Sequence, residues 1–122
     1  MTLLMYRQTM TRELDLLQGT LDVLVLQALS WRPMHGYAVA RFIRQGSHQA
    51  FKVLDGALYT SLHRMEERGW VESEWGASDK KKRAKFYRLT AAGRRALRAE
   101  TQTWNDYVAA VGRVMIASPE PA

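Results

Sequence analysis

A mainly α fold with one small β-hairpin is what these 122 residues predict. Three observations lead there. Apolar residues recur at helical spacing in successive segments punctuated by Gly19, Pro33, Gly46 and Gly69. Two short β-branched and aromatic runs, Val71–Trp75 and Ala84–Leu89, flank a turn-rich stretch. Thr90 then opens a run long enough for a helix to about Ile116. Helix, helix, helix, hairpin, helix is the order of a winged helix-turn-helix, here with an N-terminal helix ahead of it and a long C-terminal helix behind.

Taken in order, residues 3–17 mix apolar and charged positions, with Met10, Leu14 and Leu17 at helical spacing, and predict the N-terminal helix. Thr20 is expected to cap the next helix through its hydroxyl. In that helix Leu21, Leu24, Val25, Leu26 and Leu29 are apolar nearly all round, which marks a central core element ending at Pro33. Tyr37, Ala38, Val39, Phe42 and Ile43 predict a short helix from His35 to about Gly46, and Phe51–Leu54 an extended connector. Asp55 is expected to cap the following helix, and Gly69 to stop it. Gly76, Ala77, Ser78 and Asp79 with the lysines form the hairpin turn, and Pro119 and Pro121 break the tail. The size fits one folding unit, read as a winged helix-turn-helix over 1–90, a dimerisation helix over 91–116 and a flexible tail over 117–122.

Charge narrows the class of partner. The net charge is +6, but Lys80–Glu100 holds nine basic residues against one acid, a local +8 that leaves −2 for the rest. A basic zone of this kind favours an anionic partner such as nucleic acid. There is no cysteine, so disulfides, thiolate nucleophiles and Cys-based zinc sites are excluded. His35, His48 and His63 are scattered without ligand spacing, and no acid pair sits in a catalytic motif, so neither an enzyme, a metal nor a cofactor is expected. Leu21–Leu29 is interrupted by Asp22 and Gln27 and is too short to span a bilayer, which leads to the expectation of a soluble, cytoplasmic protein.

Double-stranded DNA is the partner that the next two segments suit. With Leu58 as the zero direction at about 100° per residue, Leu62, Met65 and Gly69 mark the buried side of the helix. Gly56, Thr60, His63 and Glu67 lie opposite, flanked by Tyr59 and Arg64. Small residues at a helix start let its free amides approach a phosphate. Tyr59, Thr60, Ser61, His63 and Arg64 can donate to phosphates or base edges. The pattern leaves two readings open for Tyr59, a half-buried ring with its hydroxyl in water or a DNA contact, and for His63 a plain surface histidine or a base contact. The hairpin tip Lys80-Lys81-Lys82-Arg83, followed by Lys85, is either a solvated loop or a wing on the DNA backbone. Anionic phosphates would relieve the repulsion among its adjacent cations.

Leu97, Thr101, Trp104, Val108, Val111 and Met115 follow one another at alternating spacings of four and three, a heptad seam. It is read as the interface of a homodimer, the alternative being packing on the N-terminal helix of the same chain. A two-fold pair would present two recognition helices about one DNA turn apart, which implies an inverted-repeat operator.

Gly19-Thr20-Leu21, His35-Gly36-Tyr37, Gly56-Ala57-Leu58-Tyr59 with Leu62-His63-Arg64-Met65-Glu66, and Lys85 to Gly93 together resemble the PadR family of bacterial transcriptional regulators, in order from about Leu17 to Val114. The resemblance implies a repressor of the short-tailed branch, dimeric through its last helix, with Tyr59 on the DNA. Some members of that family bind flat aromatic compounds between the dimer helices. By resemblance this gives Trp104 and Val108 the role of contacts for a small aromatic effector, the alternative for Trp104 being interface packing on the seam. Two departures stand out: Thr60 where relatives commonly carry proline, and lysines where their wings are often glycine-rich. A winged helix used as a protein–protein adaptor is the rival reading, and the local +8 argues against it.

Overall fold

The computed structural model describes Leu16 and residues 19–120. The N-terminal helix expected over residues 3–17 lies outside the described residues, Leu16 apart. From there the elements are α1 (Thr20–Leu29), β1 (Met34–His35), α2 (Gly36–Gly46), α3 (Asp55–Glu67), β2 (Val71–Ala77), β3 (Arg83–Leu89) and α4 (Ala91–Ile116). Among the described residues, four helices accompany a three-stranded antiparallel sheet of order β1-β3-β2. This is the predicted class, mainly helical with a hairpin wing.

The core is built where the apolar faces converge. Val25, Leu26, Ala28 and Leu29 of α1 are buried against Val39 and Ile43 of α2, Leu58, Leu62 and Met65 of α3, and Val71, Tyr87 and Leu89 of the sheet. α1 touches α2, α3, α4 and β3, which is why it reads as apolar on almost every side. It ends at Leu29, four residues before the expected stop at Pro33. Ser30 closes the end instead, its hydroxyl donating to the Gln27 carbonyl at 2.6 Å.

Two expected caps are corrected. Thr20 is the first helical residue and is buried, and the N-cap is Gly19, in the left-handed region at φ 86° with no side-chain hydrogen bond. Asp55 likewise sits inside the first turn of α3, behind an extended Leu54. There its carboxylate faces the helix dipole rather than an amide. The expected cap at Thr90 is found: its hydroxyl accepts from the Gly93 amide at 3.0 Å and donates to the Gly69 carbonyl at 2.6 Å. His35 adds a cap that no sequence pattern marked, with Nδ1 accepting from the Ala38 amide at 3.1 Å.

The wing is registered by the pairs Val71↔Leu89 through Ala77↔Arg83, so Gly76 and Ala77, expected in the turn, belong to β2. β1, which no periodicity announced, adds Met34↔Tyr87 and His35↔Phe86 on the far side of β3. α3 ends as expected at Gly69, φ 75°. The Trp70 amide donates to Met65 and the Gly69 amide to Glu66, the paired bonds by which a helix closes on a left-handed residue. That closure turns the chain directly from α3 into β2 and sets the angle between helix and wing.

Candidate nucleic-acid interface

α3 and β3 form the two walls of an open groove. Tyr59, Thr60, His63, Arg64, Glu66 and Glu67 line one side, Lys85 and Tyr87 the other, around about 610 Å³. The helix contributes to it by periodicity. Leu58, Leu62 and Met65 anchor one face in the core, so Gly56, Tyr59, Thr60 and His63 stand out on the opposite one. Gly56 is exposed, and a methyl group built there would meet no atom of the protein within 4 Å. The fold does not need glycine at that position. Open space at the start of a helix is, however, what close approach of a large anion requires.

Tyr59 is 48% exposed, and its ring lies across Gly36 at the start of α2. Its ring is therefore half-buried, with the hydroxyl end the part nearest to that glycine. His63 is fully at the surface, with Nε2 3.8 Å from the Glu67 carboxylate one turn on. Glu67 and Glu66 put negative charge at the C-terminal end of the groove. Glu66 also accepts from the Ser73 hydroxyl at 2.7 Å, tying α3 to β2. Burial pushes the Tyr87 phenol up from its ordinary value near 10, and the neighbouring Glu66 and Tyr59 act in the same direction.

Two predicted donors are changed by the structure. Ser61 is 1% exposed, and its hydroxyl donates to Oδ1 of Asp22 on α1 at 2.6 Å, so it is withdrawn from the DNA-facing set. At about 100° per residue it lies only some 60° from Leu58, on the flank of the buried face. Arg64 is half-exposed, but its Nη2 donates to the same Asp22 oxygen at 2.5 Å. It faces the groove as a clamped guanidinium rather than a free one.

The wing carries its charge on a closed turn. The Ser78 amide donates to the Lys82 carbonyl at 2.9 Å and the Lys81 amide to the Ser78 carbonyl at 2.8 Å. Lys80, Lys81 and Lys82 are all exposed, and Lys81 takes a left-handed φ of 58°. Arg83 rests over the Trp75 ring at 4.1 Å, and the Lys85 ammonium lies 5.8 Å from the Tyr87 ring. Arg88, by contrast, is held across the strands by Glu72 at 2.9 Å and Glu74 at 3.7 Å.

The seam residues of α4 divide along the helix. Leu97 is half-buried against the core, whereas Thr101, Trp104, Val108, Val111 and Met115 are exposed, Met115 to 76%. Trp104 stacks near Tyr107, with centroids 6.1 Å apart. Both line a hollow of about 390 Å³ with Gly19, Thr20, Val23, Glu100 and Thr103, and Val108 lies outside it. No helix among the described residues is long and apolar enough to cross a membrane.

Residues 25–99 match the PadR-like family of transcriptional regulators. A PadR family transcriptional regulator from Eggerthella lenta has the same fold at a TM-score of 0.70 and 31% identity, over 83% of this chain and 86% of that one. One from Clostridium difficile superposes at a TM-score of 0.69 with 26% identity, over 80% and 99% of the two chains. An uncharacterized protein of Lysinibacillus sphaericus is 29% identical over 91 residues, 74% of this chain and 83% of that protein.

Proposed function

The chain belongs to the PadR-like family of transcriptional regulators, DNA-binding proteins rather than enzymes, and on that footing we propose that it is a homodimeric repressor of an inverted-repeat operator. The observation that carries the DNA-facing part is the shared groove: exposed donors of α3 and the basic returning strand of the wing face one another across it. α3 enters the major groove with Gly56 against a phosphate and with Tyr59, Thr60, His63 and Arg64 facing the base edges. Lys80, Lys81, Lys82, Arg83 and Lys85 hold the backbone beside it and supply affinity without sequence choice.

Pairing through Leu97, Thr101, Trp104, Val108, Val111 and Met115 would cover apolar surface that a single chain leaves in water. The hollow beside Trp104 and Tyr107 suits a flat aromatic effector, and Glu100 on its rim favours one bearing positive charge. Release of the operator by such a compound is the regulatory half of the reading.

The experiment is binding-site selection from random duplexes, followed by anisotropy titrations on the selected 30-bp duplex. Tyr59→Ala is expected to remain folded and dimeric while losing at least tenfold in affinity. Replacing Lys80, Lys81 and Lys82 by Gln is expected to flatten the dependence of log affinity on log salt by up to about three units for each subunit of the dimer, roughly one for each phosphate no longer neutralised. Full affinity in Tyr59→Ala would take α3 off the bases, and an unaltered salt slope would take the wing off the backbone.

A further inference from the structure

We propose that Asp22 is a specificity-determining residue of DNA recognition, which aims the Arg64 guanidinium of α3 at a base edge and withholds it from general phosphate contact. Asp22 lies on α1, outside the DNA-facing set. It is a positioning residue that acts through Arg64, and the inference rests on the reading of α3 as the recognition helix.

Asp22 is the only charged side chain of α1, a helix otherwise apolar but for Thr20 and Gln27. A carboxylate in a first turn is favoured by the helix dipole wherever it points. Here it points across to α3. One oxygen, Oδ1, accepts from the Ser61 hydroxyl at 2.6 Å and from Nη2 of Arg64 at 2.5 Å. At about 100° per residue, Ser61 and Arg64 lie roughly 60° and 120° from Leu58 on the same flank of α3, so one acid reaches both. Ser61 is 1% exposed and buried away from any DNA. Its bond fixes the carboxylate, and the carboxylate in turn fixes the guanidinium.

Cohesion between the helices does not require this arrangement. Leu26 and Leu29 of α1 share one core with Leu58, Leu62 and Met65 of α3, and an ion pair with a half-exposed partner adds little to such packing. What the pair adds is direction. The side chain of Asp22 is 15% exposed and that of Arg64 41%, so the guanidinium is held from the protein side and opens on the groove lined by Tyr59, Thr60 and His63. Among the described residues only its Nη2 is engaged, which leaves the other N–H groups for an outside acceptor pair. A planar guanidinium presents its donors as a rigid fork that matches O6 and N7 on the edge of guanine.

Charge points the same way. A free arginine is drawn to any phosphate and favours no sequence. Asp22 offsets that attraction beforehand, so Arg64 gains on binding only where a base supplies acceptors in the direction already set. The wing gives the contrast. Lys80, Lys81 and Lys82 are exposed, and no ion pair holds them among the described residues. Arg88 is paired, but its acids Glu72 and Glu74 are themselves 56% and 76% exposed, and it lies outside the groove.

The test measures two affinities of the full-length protein, one for the selected 30-bp duplex and one for a mixed-sequence duplex of equal length, each against salt. Asp22→Asn keeps the size and an acceptor for Ser61 but removes the charge. It is expected to lower the ratio of the two affinities about tenfold. On mixed-sequence DNA it should also steepen the salt slope by up to about one for each subunit. Arg64→Ala is expected to lower the ratio as much, and Asp22→Asn added to Arg64→Ala to lower it no further. A plain tie between helices would instead lower the melting temperature of Asp22→Asn and leave ratio and slope unchanged. That result would refute the proposal, as would an unchanged ratio in Arg64→Ala. Tyr59→Ala separates the failures. If it lowers the ratio while Arg64→Ala does not, α3 still reads the DNA and only the role of Asp22 falls. If neither lowers it, the recognition-helix reading falls as well.

Discussion

At the scale of single residues, the fold places glycine where another part of the chain passes close. A Cβ at Gly36 would collide with the Tyr59 hydroxyl and lie 2.7 Å from Cζ of that ring. The obstacle is the far end of a side chain, so the ring can swing aside. Alanine also favours helix over glycine by up to about 1 kcal/mol. Gly36→Ala is therefore expected to keep its stability in urea denaturation yet bind DNA about tenfold more weakly, because Tyr59 is displaced. Unchanged affinity would show that the ring's position is immaterial. Gly93 differs in kind. A Cβ there would fall on the Trp70 carbonyl oxygen and 2.9 Å from the carbonyl carbon, which are backbone atoms. Gly93→Ala is expected to destabilise the protein by about 1–3 kcal/mol, read as a shift in the denaturation midpoint. Most outward positions of α3 were legible in the sequence because Leu58, Leu62 and Met65 fix its rotation. Ser61 was not, since a hydroxyl on the flank of an apolar face looks like a surface donor until Asp22 of a distant helix is seen to accept from it.

At the scale of elements, boundaries were readable where a cap or a left-handed residue marks them, as at Thr90 and Gly69. β1 was not readable. Two residues carry no period, and their strand character comes wholly from pairing with Tyr87 and Phe86. α2 was readable as a helix from its apolar positions, but Tyr37, counted among them, is 61% exposed and stands outside the core. Tyr87 links helix and wing through its titration. Its raised value means that the folded state holds the phenolic proton more tightly than the unfolded chain does. The associated stability is full below the unfolded value near 10 and is lost as pH rises through the folded value. Wild type is expected to lose stability more steeply above pH 10 than Tyr87→Phe, measured as melting temperature against pH. Parallel curves would mean that Tyr87 does not report on the groove.

At the scale of the whole molecule, the sharpest contrast is between the two ends of α4. Its first turns are pinned by Thr90 and Gly93 against Trp70, while Val114, Met115 and Ile116 are exposed, Ile116 to 87%. Val108→Glu with Val111→Glu is expected to convert the proposed dimer to a monomer in light scattering. Operator affinity should then fall by two orders of magnitude or more, since two half-sites would no longer bind as one. A dimer that persists would move the interface to another face. The geometry of α4 also has a mechanical meaning. Its 26 residues, at about 1.5 Å each, make a rod of about 39 Å, close to the span of one DNA turn. Rotating such a rod by about 5° about one end moves the other by roughly 3 Å, more than enough to break hydrogen bonds that weaken within a few tenths of an ångström. In the proposed dimer, a small tilt of the paired far half of α4 would thus be carried as a larger displacement to its Thr90 end, which is bonded to Trp70 just after α3.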